Sequence, residues 1–140
     1  MKQKTYMVLL ADRKRAQMFM LSNGVVGYSK EFINEHVPQK VKHGDDTWDA
    51  QDKIMRHIED HLHRHLQHVA KVADTFAKKN HISGLIIGGH KELFGKIRKH
   101  LSYPLNKKMK GTFVTELKAP FNEVLKRAKA TIGAIEGAAI

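Results

Sequence analysis

The chain has no cysteine, which excludes disulfide bridges and thiolate metal ligands and agrees with a cytoplasmic location. No apolar run approaches the roughly 20 residues of a membrane helix. Met1-Lys2-Gln3-Lys4 leads into a strand-like segment too short and too polar for a signal peptide. Internal repeats, low-complexity tracts and an interdomain linker are also missing. Ser22, Ser29, Ser83 and Ser102 have no recognisable nucleophile setting, so a serine-type triad has no support. Acidic residues are in short supply, 14 against 25 Lys and Arg, for a net charge of +11 and a pI near 9.9. What remains is one domain, residues 1–140, whose 41% hydrophobic content is enough to bury a core. Its charge points to nucleic acid or another polyanion.

That charge is segregated. Residues 1–44 carry +5, 45–80 carry −1, 81–90 are neutral, 91–110 carry +6 and 111–140 carry +1. Lys91, Lys96, Arg98, Lys99, Lys107, Lys108 and Lys110 face only Glu92 in that +6 segment, which makes them the candidate RNA-binding residues. Uniform solubilising charge would be spread more evenly.

The hydrophobic pattern predicts strands at 6–11 and 16–21, with Asp12 in the turn between them. Asn23-Gly24, a favoured hairpin turn, leads to a third strand from Val25 to about Phe32. Residues 36–47 lack a period and read as a long exposed loop. From Trp48 to Lys79 apolar residues recur every three or four positions, as in one amphipathic helix with Asn80 as its stop. A doubly buried strand at 84–88 follows, then a helix at 91–101, a turn around Tyr103-Pro104, a strand at 112–117 and a helix from Pro120. Residues Gly133 to Ile140 read as a frayed tail. The order predicts an α/β fold, a mixed sheet of about five strands with helices on its faces.

Three further constellations bear on chemistry. His57, His61, His65 and His68 fall within one arc of the long helix, and the i, i+4 pair His61 and His65 has zinc-ligand spacing. The stripe flanks the apolar face and has no clear fourth ligand, so a pH-sensitive polar border is the preferred reading and no metal or other cofactor is expected. Gly88-Gly89-His90 resembles a small phosphate cradle, though glycines ending a strand are more often a turn device. Asp12, with Asp45, Asp46 and Glu59 as partners, would suit a two-metal nuclease, but Asp12 is more simply a turn residue.

The segments VLLADRKRAQMF (8–19), HVAKVADTF (68–76) and ISGLIIGGH (82–90), with the strand and helix that follow, resemble the central domain of archaeal and eukaryotic class-1 peptide-chain release factors, of Pelota and of their bacterial relatives. The resemblance covers nearly the whole chain. It implies a ribonuclease H-like sandwich and ribosome, ribosomal RNA or transfer RNA as partners, with further release-factor-like domains or a protein partner alongside. In release factors a Gly-Gly-Gln loop before the long helix supports peptidyl-tRNA hydrolysis. The matching interval, about Val37 to Gln51, has Gly44 as its only glycine and no such motif. The implied function is therefore a translation-associated binding module, possessing no release activity of its own, whose functional loop carries Gln39, Lys40, Lys42, His43, Gly44 and Gln51. The alternatives are a hydrolase in which Gln39, His43 or Gln51 replaces the missing glutamine, and a basic protein-interaction domain. The family's codon-reading and factor-recruiting domains have no counterpart in these residues, as expected of an excised middle domain or a single-domain relative.

Overall fold

A computed structural model describes residues 4–33 and 48–138, with the side chains of 28, 32, 33, 48–55, 57 and 138 left out. The elements are β1 (Thr5–Ala11), β2 (Arg15–Ser22), β3 (Val25–Ile33), α1 (Trp48–Asn80), β4 (Gly84–Gly89), α2 (Lys91–His100), α3 (Tyr103–Lys107), β5 (Met109–Val114) and α4 (Phe121–Ala138). Asp12 makes the first reversal: its Oδ1 accepts from the amides of Lys14 and Arg15 at 2.9 and 2.6 Å. Asn23 and Gly24 make the second with φ of 51° and 78°, the left-handed geometry a tight hairpin turn requires.

The sheet order is β3-β2-β1-β4-β5. β2 is antiparallel to β1 and β3, while β1, β4 and β5 are parallel. This is the ribonuclease H-like arrangement that the resemblance implied. Strand alternation sends Met7, Leu9 and Ala11 to one face, where they pack with Leu66, Val69 and Ala73 of α1 and with Leu93 and Ile97 of α2. Tyr6, Val8 and Leu10 point the other way, onto Val124 and Ala128 of α4. The central strands β1 and β4 are covered on both faces, which explains their nearly continuous apolar runs.

The 33 residues of α1 make a rod about 50 Å long. His65 meets the backbone of Asp12 just past the carboxyl end of β1, so the part of α1 before His65 runs roughly 25 Å beyond that contact.

Three expectations need correction. The segment after α2 is a short helix, α3, because Ser102 caps it through the amide of Leu105 and Pro104 suits its first turn. The last strand begins at Met109 rather than 112, since pairing with Leu85 starts directly after α3, and it ends at Val114 before a turn closed by Ala119 N–H on Glu116 C=O. The expected tail at 133–140 is helical to Ala138, and Ala139 and Ile140 lie outside the described residues. Ile132 and Ile135 pack against the sheet, and Tyr6 donates to Glu136 at 3.2 Å, which holds the last turns down.

Candidate nucleic-acid interface

α2 places its cations through its amphipathic period. Leu93 and Ile97 are buried and fix one face against the sheet, so Lys91, Lys96, Arg98 and Lys99 occupy the outer half, all exposed. α3 continues that surface with Lys107, and Lys108 follows at its C-cap. Arg98 is held in place: its Nε donates to Asn106 Oδ1 at 3.2 Å, and Asn106 Nδ2 donates to the Arg98 carbonyl at 2.7 Å. Lys108 Nζ donates to the carbonyl of Ile82 at 3.1 Å. The unit is tied to α1 by a hydrogen bond from the Ser102 hydroxyl to Asp74.

Lys110 does not join this surface. Leu85 pairs with Met109 and Ile86 with Gly111, so Lys110 is the extra residue of a bulge. Its stem lies beside Gly84 and Tyr6, on the α4 side of the sheet. The sequence places it with its neighbours in charge, but the pleat turns it away.

Tyr103 is the residue that sequence reasoning missed. It is 73% exposed at the start of α3, with Lys107 Nζ 5.1 Å from its ring centroid. An exposed aromatic among lysines offers a flat apolar ring face beside positive charge. The signal was present as an aromatic interleaved in a basic run, but the Tyr103-Pro104 pair reads first as a turn.

Among the described residues no Lys or Arg lies within ion-pair distance of a carboxylate; both ion pairs belong to His90. His90 Nε2 donates to Glu116 at 2.9 Å, and Nδ1 lies 3.9 Å from Glu92. The hydrogen bond to Glu116, opposed by partial burial, raises the His90 pKa above the usual histidine value. Two carboxylates there make a poor anion cradle. The preceding glycines serve packing instead: a Cβ on Gly88 would sit 2.5 Å from Leu10 Cδ2, and one on Gly89 would sit 2.5 Å from the Ala11 carbonyl oxygen. Strand-end geometry accounts for both.

The histidine stripe is not one environment. His65 is buried, and its Nε2 donates to the Asp12 carbonyl at 2.9 Å; burial lowers its pKa. His61 is half-buried and His68 exposed, and the side chain of His57 lies outside the described residues. No group of three histidines or carboxylates capable of holding a metal occurs among the described residues. Asp12 is occupied by its own turn, and Glu59 is exposed on α1. Asp45, Asp46 and the loop candidates Gln39, Lys40, Lys42, His43 and Gly44 lie outside the described residues, whereas Gln51 falls in the first turns of α1.

A model of the family described as bacterial archaeo-eukaryotic release factor family 10 matches residues 2–132. No curated protein matches the chain. Among solved structures, the fold is similar to that of an archaeal translation termination factor, with a TM-score of 0.53 and 13% identity over 94% of this chain and 40% of that one. A structure described as an archaeal protein gives the same TM-score and identity over 95% of this chain and 38% of its own. The chain thus spans about two fifths of the length of these structures, and at such identity the likeness concerns the fold alone.

Proposed function

Because the chain belongs to bacterial archaeo-eukaryotic release factor family 10, we propose that it is a translation-associated module that docks on ribosomal or transfer RNA through α2 and α3. The observation that carries this reading is the run of exposed cations, Lys91, Lys96, Arg98, Lys99, Lys107 and Lys108, that no described carboxylate neutralises. Like charges held close together repel, and a phosphate backbone relieves that repulsion while releasing counterions. The Arg98–Asn106 and Lys108–Ile82 hydrogen bonds fix two of these side chains before any ligand arrives, so less ordering opposes binding. Tyr103 adds a stacking surface that a purely electrostatic patch would lack.

The chain contains no Gly-Gly-Gln, so this reading is binding without peptidyl-tRNA hydrolysis, in the cytoplasm where ribosomes work. The test is sedimentation with ribosomes and filter binding of transfer RNA across a salt series. Wild type should weaken steeply with salt. Reversal of Lys96, Arg98, Lys99, Lys107 and Lys108 to glutamate should reduce affinity by at least tenfold and flatten the salt slope by about three to five. Tyr103→Ala should weaken binding with little change in that slope. Equal binding by the folded charge-reversed variant would sink the surface.

A further inference from the structure

A second cationic surface lies on the other flank of α1. A cavity of about 670 Å³ opens between β3 and the second half of this helix. At about 100° per residue, Lys71, Thr75 and Lys79 form one stripe and Val72 and Phe76 the next. Val72, Phe76 and Lys79 lie roughly 140–180° round the helix from His63 and Asp74, which meet His100 and Ser102 on the α2 side, while Thr75 lies about 110° and Lys71 about 70° from them. Lys30 of β3 closes the groove from the sheet edge, and no described carboxylate lines it.

The chemistry of the lining narrows the ligand. The Thr75 hydroxyl donates to the Lys71 carbonyl at 3.2 Å, and Asn80 Nδ2 donates to the Phe76 carbonyl at 2.8 Å. The donors that the lining offers a ligand are chiefly the ammoniums of Lys30, Lys71 and Lys79, beside the half-buried Val72, with the core residue Phe76 beneath. An acidic peptide would bring backbone N–H groups that need acceptors. A phosphodiester strand brings an acceptor-only backbone, and its bases have apolar faces. Lys71 and Lys79 are separated by about 12 Å of helix rise, too far for one phosphate to bridge, which favours an extended polyanion over a small anion.

We propose that this groove is a second nucleic-acid site, taking a short single-stranded RNA segment lengthwise, with phosphates on Lys30, Lys71 and Lys79 and bases over Val72. The inference does not rest on docking through α2 and α3, because the groove is bounded by β3 and α1 and shares no lining residue with that surface.

The experiment is fluorescence anisotropy of the full chain with a labelled oligouridine of about ten nucleotides, in a salt series. Changing Lys30, Lys71 and Lys79 together to glutamate should weaken binding at least tenfold and reduce the salt slope by about two. The same three changed to glutamine should act in the same direction with an unaltered melting temperature, and this variant decides the matter if the first does not fold. Ultraviolet crosslinks of the bound oligouridine should map to residues 68–80. The α2–α3 reversal, which removes the first surface and lowers the general attraction for RNA, should leave the oligouridine crosslinks to residues 68–80 in place. Unchanged affinity in the glutamine variant would overturn the site. So would loss that follows only the α2–α3 reversal, or displacement of oligouridine by inorganic phosphate or polyglutamate at equal ionic strength and comparable concentration.

Discussion

His65 and His90 sit at opposite ends of what a fold can do to an imidazole. His65 is buried against the β1–β2 turn and has a lowered pKa, so below about pH 6.5 the unfolded chain binds a proton that the folded chain resists. Its contribution is present above that pH and is lost as pH falls towards its depressed folded value. His100, lowered by burial and by His63, acts in the same sense. His90, raised by Glu116, has the reverse sign: its contribution is complete below about pH 6.5 and is lost as pH rises through its folded value. Melting temperature against pH should therefore fall on the acid side less steeply in His65→Gln than in wild type. Glu116→Gln should flatten the alkaline side. An acid limb identical in wild type and His65→Gln would show that this residue is not the source.

At the scale of the element, β4 is tightly constrained. All six of its residues are buried, and it joins β1 to β5 through parallel pairing on both edges. Gly88 is required by Leu10 and Phe113, whose atoms lie 2.5 and 2.6 Å from where a Cβ would be. Gly88→Ala should destabilise by about 1–3 kcal/mol through overpacking. Gly89→Ala should cost more, because the obstacle is the Ala11 backbone oxygen and the residue has φ of +132°. Denaturant unfolding measures both, and a Gly88→Ala variant within about 0.5 kcal/mol of wild type would contradict the packing account.

For the whole molecule, α1 divides the surface. Its core stripe, Leu62, Leu66, Val69 and Ala73, is seated on the sheet, one flank meets α2, and the other borders the groove with Lys30. Cations thus flank α1, on α2 and α3 at one side and in the groove with Lys30 at the other. No helix among the described residues is long and apolar enough to cross a membrane. Programmed ribosomes carrying peptidyl-tRNA should show no measurable peptide release with this chain alone, because the Gly-Gly-Gln motif is missing. Release that disappears in Gln39→Ala or His43→Ala would instead assign hydrolysis to the segment before α1.

The local periods of the sequence were sufficient to determine the order of elements, the two hairpin turns, the long helix and the doubly buried strand. Period-two and period-3.6 patterns are written residue by residue, and a tight turn declares itself in Asn23-Gly24. The cluster of cations on α2 and α3 was legible for the same reason, since its members are close in sequence. The remainder depended on contacts between distant segments. The bulge at Lys110 arises from pairing with β4 and moves that lysine to the opposite face. The end of α4 is held by Tyr6, 130 residues away. Three lysines met across a groove although the net charge of residues 45–80 is −1. Summation along the chain cancels charges that a helix separates onto different faces, and only the packed fold decides which of them share a surface.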